Sequence, residues 1–141
     1  MNTTARRQLQ RVRRYRFQRH VARALEELPI DSDFAFFFRE LASPSLVYWH
    51  DTGHAQIKEN LGFINHAMQL ESLAEDLAGF HIHDVQFPAA DHSAPGTGTV
   101  NFAALRPMVK PEHVKVFEFS PSLKTEEAKA GIAHLKKIWG E

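Results

Sequence analysis

A chain of 141 residues with 43% hydrophobic residues and eleven phenylalanines can bury the core of one compact domain, which excludes a disordered polypeptide. Its longest apolar run falls far short of the roughly 18 residues of a membrane span, and without cysteine any metal must be held by imidazole and carboxylate. The net charge of zero hides an asymmetry: residues 1–25 carry eight arginines and no acid, leaving nine Lys/Arg against seventeen Asp/Glu after them, a balance of −8.

From Arg6 to Leu28 there is neither Gly nor Pro, and Phe17, Val21, Leu25 and Leu28 fall at helical spacing. Before Phe17 only Leu9 and Val12 offer an apolar face, so the basic arm is expected to be a helix or a loosely packed, disordered segment outside the main domain. Pro29 starts a turn and Asp31 or Ser32 can cap a helix, in which Phe34, Phe37, Phe38 and Leu41 make one buried face. Ser43-Pro44 stops it. The aromatic and β-branched run 46–51 predicts a buried strand ending in Thr52-Gly53. A helix is expected over about 65–77, lined by Ala67, Leu70, Leu73, Ala74 and Leu77 and closed by Gly79.

Residues 80–84 read as a second strand and 85–101, with their Pro and Gly, as a long loop of the kind that often carries function. A short helix around Pro107 covers 102–109, and 114–119 make a third strand. The last helix takes Thr125 as cap, Glu126 and Glu127 in its first turn, and Ala128, Ile132, Leu135 and Trp139 along one face. Strand and helix alternate three times, which predicts an α/β fold with parallel strands and functional residues at their C-terminal ends. The chain is too short for a complete eight-stranded α/β barrel, which takes about 250 residues.

Each predicted strand carries a potential ligand near its end: Asp51, His81 and Glu118. Parallel strands of one sheet bring such ends to a common mouth. One imidazole and two carboxylates suit Mn²⁺, Mg²⁺, Co²⁺ or Zn²⁺. A divalent ion of this kind polarises carbonyl and hydroxyl oxygens of a sugar, and a neighbouring carboxylate can then move the proton between them. Each residue also has an ordinary reading. Asp before Thr-Gly is a common turn former. Of His81 and His83, one is expected to face the mouth while the other is packed or hydrogen-bonded. A glutamate between Phe117 and Phe119 is costly unless it is paired or metal-bound. His92 lies in the long loop, and His20, His66, His113 and His134 are expected at the surface or in helices rather than as ligands.

The element Asp51-Thr52-Gly53-His54-Ala55 resembles the D-T-G-H-A motif of the xylose isomerase-like sugar phosphate isomerase/epimerase superfamily. Phe80-His81-Ile82-His83-Asp84 resembles its H-x-H-D segment, Asp91-His92-Ser93-Ala94-Pro95-Gly96-Thr97-Gly98 its D-H-x-x-P-G-x-G loop, and the block 114–121 with Glu118 its last barrel strand. The similarity covers about residues 29–140. It implies the last three βα units of a (β/α)8 TIM barrel over 29–141, preceded by the Arg-rich arm 1–25. It also implies Asp51, His81 and Glu118 as metal ligands, Glu118 as an acid/base group, His54 and His92 as substrate contacts, and His54 as a further metal ligand by analogy with the related endonucleases. Gly96 and Gly98 are expected to let the loop turn closely around His92.

The resemblance breaks at the front, where the family's second glutamate would fall near residues 20–21 and the chain reads Arg19-His20-Val21-Ala22-Arg23. The earlier strands are missing with it. The expectation is therefore a metal-dependent sugar isomerase or epimerase impaired by truncation, or by a frame shift that supplied the arm, with association of two copies as the alternative way to cover the open half-barrel. A sugar or sugar phosphate is the implied small-molecule partner, neither nucleic acid nor a membrane is expected as one, and a cytoplasmic location fits the cysteine-free composition. The competing reading is a nucleic-acid-binding or apurinic-site endonuclease-like protein using the arginine arm on phosphates; a targeting peptide ranks last.

Overall fold

The computed structural model describes residues 34–140, so the basic arm, the Pro29 turn, the cap at Asp31 or Ser32 and the family's glutamate position lie outside the described residues. Helix α1 spans Phe34–Leu41, and strand β1, Tyr48–Asp51, follows it. Phe34 and Phe38 pack toward the core, with the Phe34 ring edge-on to Tyr48 at 5.1 Å. Phe37 and Leu41, expected on the same buried face, are exposed and line an apolar groove with Leu46, Val47 and Trp49. The helix therefore offers the core only part of its apolar stripe.

Asp51 ends β1 and caps helix α2, Thr52–Asn60, by accepting a hydrogen bond from the His54 amide. This helix escapes a search for apolar stripes because its buried residues are mostly small or polar: Thr52, Gly53, Ala55, Gln56 and Ile57. Helix α3, His66–Ser72, starts at the Asn65 cap and ends well before the expected residue 77. Strand β2 then begins at Leu77 and runs to Ile82, so Gly79 lies inside a strand, opposite Trp49 and Val114, rather than closing a helix. The expected long loop contains an antiparallel hairpin, β3 (Asp84–Gln86) with β4 (Ala90–Ser93).

Helix α4, Phe102–Leu105, passes into a 3₁₀ turn at Arg106–Met108, where Pro107 cannot continue α-helical bonding. Strand β5 covers Val114–Phe117, and helix α5, Thr125–Trp139, closes the fold. Its N-cap is Lys124 rather than Thr125, with the Glu127 carboxylate accepting the Lys124 amide, and Gly140 ends it in a left-handed turn.

The three strands form one parallel sheet in the order β1-β2-β5. The protein is thus a mixed α/β fold built on a parallel three-stranded sheet. Phe80 and Ile82 are fully buried from solvent and join Tyr48, Leu70, Leu105, Leu135 and Trp139 in the main core, where the Trp139 indole donates to the Phe102 carbonyl. The register Trp49–Gly79–Val114 and Asp51–His81–Val116 defines the other face. There Trp49, Val114 and Val116 are exposed, which is unusual because parallel sheets normally have both faces covered. No helix among the described residues is long and apolar enough to cross a membrane.

Candidate metal centre

The sheet register puts Asp51 and His81 side by side on the less covered face, and Glu118 follows β5 directly. Their ligand atoms converge: His81 Nδ1 lies 3.8 Å from Asp51 Oδ2 and 3.6 Å from Glu118 Oε1. Ligands held at about 2.0–2.2 Å around one tetrahedral cation sit roughly 3.4 Å apart, so the spacing fits a shared ion. The donor set of one imidazole and two carboxylates, with no sulfur, fits one as well. These three residues can hold a metal ion.

The two oxygens of Asp51 have different surroundings. Oδ1 accepts the His54 amide at 2.8 Å and lies 3.0 Å from His83 Nε2, whereas Oδ2 faces His54 Nδ1 at 3.2 Å and His81. Burial works against the charged carboxylate, but His83, the His54 ring and the His54 amide outweigh it and hold the Asp51 carboxyl at about 2. Asp51 is therefore a helix cap whose carboxyl is held in its ionised form, which leaves Oδ2 as a candidate ligand atom.

His92 stands on the far side of Glu118. Its backbone adopts a positive φ of 59°, a region that non-glycine residues rarely occupy and that tends to mark functional sites. Its Nδ1 lies 3.1 Å from Asp91 Oδ1 and its Nε2 3.9 Å from Glu118 Oε2. Although burial opposes it, the His92 contact keeps the Asp91 carboxyl below its usual range. An open cavity of about 540 Å³ adjoins these residues, lined by Asp91, His92, Phe117, Glu118, Phe119 and the Ser120–Pro121 turn. Its described lining contains two carboxylates and no lysine or arginine.

His54, His83 and His92 form a second group with closely spaced ring nitrogens. The His83 and His92 rings stack in parallel at 4.3 Å, with His54 edge-on to both. Stacked rings direct their nitrogens side by side rather than at one point, and His83 Nδ1 already accepts the His92 amide at 2.9 Å. This trio is better described as an aromatic cluster that orders the site. For His83, burial disfavours the cation, but the Asp51 carboxylate outweighs it and moves the group above the ordinary histidine range. A second proton would have to sit on Nδ1, where the His92 amide points, so the hydrogen bonding records the neutral Nε2–H form.

Gly96 and Gly98 shape the loop, and they do so around Asp84. Their amides, with those of Val85 and Val100, donate to the buried Asp84 carboxylate at 2.8–2.9 Å. A side chain at Gly98 would lie 2.3 Å from the Val85 carbonyl oxygen, and Gly96 adopts φ +87°, so the loop needs glycine to fold around Asp84. Four amides converge more readily on an acceptor-only carboxylate than on an imidazole.

Sequence reasoning also missed a buried polar chain behind β1. The direction of each bond follows from its last acceptor, the Gln56 carbonyl. The His66 Nδ1–H donates to Gln56 Oε1 at 3.1 Å, so His66 Nε2 accepts from His50 Nε2–H at 2.8 Å, and His50 Nδ1 accepts from the Tyr48 hydroxyl at 2.9 Å. The Gln56 amide in turn donates to Glu59 and Asn60. Burial is the main cause that pushes His50 down to about 3 and His66 down to about 4, with the neighbouring His66 adding to the shift at His50. His66 is a helix residue as expected, but it is buried rather than at the surface, and His113 is buried too.

No protein-family model matches the chain, and no curated protein matches it.

Proposed function

We propose that Asp51, His81 and Glu118 bind a divalent cation, Mn²⁺, Mg²⁺, Co²⁺ or Zn²⁺, and that the chain is a sugar (phosphate) isomerase- or epimerase-like domain related to the last three units of a xylose isomerase-like TIM barrel. The observation that carries this reading is the convergence of Asp51 Oδ2, His81 Nδ1 and Glu118 Oε1 from the ends of three adjacent parallel strands. When bound, such an ion supplies Lewis-acid polarisation of carbonyl and hydroxyl oxygens. The two oxygens of Glu118 then play different parts. Oε1 faces His81, while Oε2 faces His92 and the cavity, where it can take and return a proton beside a substrate carbonyl. His92, set against Asp91, is placed to bind a substrate hydroxyl next to that carboxylate.

Two measurements test the reading. Isothermal titration with Mn²⁺ is expected to show one site that weakens sharply in Asp51→Ala and Glu118→Ala. Incubation of the Mn²⁺-loaded protein with free ketoses in D₂O is expected to introduce deuterium at the carbon next to the carbonyl, a signal that Glu118→Gln abolishes. Absence of metal binding would overturn the ligand assignment, and metal binding without exchange would overturn the isomerase reading alone. The nucleic-acid reading rests on the arginines of residues 1–25. It predicts salt-dependent DNA binding that deletion of those residues removes.

A further inference from the structure

We infer that His83 is a positioning residue that joins the candidate ligand Asp51 to the His92 loop, so that one imidazole sets both the carboxylate and the substrate-side histidine. The inference rests on the metal-centre reading above. Each part of the preceding motif contributes to the placement of this ring. The Thr52 hydroxyl accepts the His83 amide at 3.1 Å and donates to the His83 carbonyl at 2.8 Å, fixing the backbone at the point where β2 ends. Gly53 lies flat against the ring: a Cβ there would sit 1.8 Å from His83 Cε1, so any other residue would expel the imidazole. The opposite ring face is covered by the stacked His92. The side chain is fully buried from solvent.

A ring held this way has two nitrogens with different roles. Nδ1 accepts the His92 amide at 2.9 Å and so helps to hold that residue in its positive-φ conformation. Nε2 must then carry the hydrogen, and it lies 3.0 Å from Asp51 Oδ1. Among the described residues no other acceptor serves Nε2, which makes it a buried donor beside the ligand's second oxygen. Outer groups of this kind orient ligating carboxylates, and their loss typically costs about 10–100-fold in metal affinity. Here the same group also anchors the loop, so the two functions of the site depend on one side chain.

The two halves of the bridge can be cut separately. His83→Asn retains an acceptor near Nδ1 and loses the donor at Nε2. His83→Gln retains a donor near Nε2 and loses the acceptor at Nδ1. His83→Asn is expected to weaken Mn²⁺ binding by about 10–100-fold while leaving the His92 amide protected from hydrogen exchange. His83→Gln is expected to bind Mn²⁺ close to the wild-type level while its His92 amide exchanges about tenfold faster. In ¹⁵N-histidine spectra of the wild-type protein His83 is expected in the Nε2–H form, with an Nε2 resonance that moves in Asp51→Asn. Variants that both match wild type, or that both lose metal binding and amide protection together, would overturn the inference, because His83 would then be either dispensable or merely a core residue. Wild-type protein that binds no Mn²⁺ would overturn the metal-centre reading instead. In that case the exchange rates and the ¹⁵N signature decide the bridge by themselves: an Nδ1–H form, or a His92 amide indifferent to His83→Gln, would remove it.

Discussion

At the scale of single residues, the candidate site separates the proposed ligands from the groups proposed to position them. Asp51 Oδ2, His81 Nδ1 and Glu118 Oε1 face one another, while Asp51 Oδ1 is held by the His54 amide and approached by His83. Replacement of Glu118 by Ala is therefore expected to reduce Mn²⁺ affinity by more than the roughly 10–100-fold of an outer-group loss, with thermal stability of the metal-free protein little changed because Glu118 is partly exposed. Gly53→Ala should behave in the opposite way. Its added methyl collides with His83, so it is expected to cost about 1–3 kcal/mol in urea unfolding before any effect on metal is measured.

At the scale of elements, the loop after β2 is organised from its buried end rather than from its exposed one. Asp84 accepts four backbone amides, from Val85, Gly96, Gly98 and Val100. Asp84→Ala would leave buried donors without an acceptor, at about 1–3 kcal/mol for each that stays unsatisfied. Chemical denaturation is expected to show a loss of about 3 kcal/mol or more, accompanied by faster amide exchange across 96–100. Sequence patterning identified the hydrophobic strands and the helix at Thr125–Trp139, because Leu135 and Trp139 recur at helical spacing and both are buried. It missed α2, whose buried positions carry polar and small side chains, and it extended α3 by reading Ala74 and Leu77 as a helical repeat. Leu77 is buried as the first residue of β2, and the two periods cannot be told apart from one apolar position.

At the scale of the whole molecule, two properties follow from how the elements meet. The first is acid sensitivity. His66 is held near 4 in the folded protein and titrates near 6.5 when unfolded, so the unfolded state binds the extra proton. Its contribution to stability is complete above about pH 6.5 and is lost as pH falls toward 4, at up to about 1.4 kcal/mol per pH unit. His50, held near 3, adds a slope of the same sign, so urea midpoints measured from pH 8 to pH 4 are expected to fall mainly in that window, and His66→Asn should reduce the dependence without abolishing it. The second is the sheet face that carries Trp49, Val114 and Val116, exposed on the same side as Asp51 and His81. The partial-barrel reading predicts that a second copy covers it. Sedimentation should then show a mass that rises with concentration, and Val116→Lys should hold the protein as a monomer.

From residues alone the chain shows its α/β alternation and the residue types of a candidate sulfur-free metal site, because hydrophobic periodicity and ligand chemistry are local properties of a sequence. The tertiary structure alone decides which of the eight histidines among the described residues stand together. It puts His81 and His92 on either side of Glu118, hides His50 and His66 in a directed hydrogen-bond chain, and turns the two loop glycines toward Asp84. The alternation of strands and helices already predicts one mouth for Asp51, His81 and Glu118, which lie 30 to 67 positions apart, whereas strand register alone sets the distances between them. His83 shows the difference most plainly. On a continuing strand it would share the face of His81, yet because β2 ends at Ile82 the chain turns there and lays its ring against both Asp51 and His92.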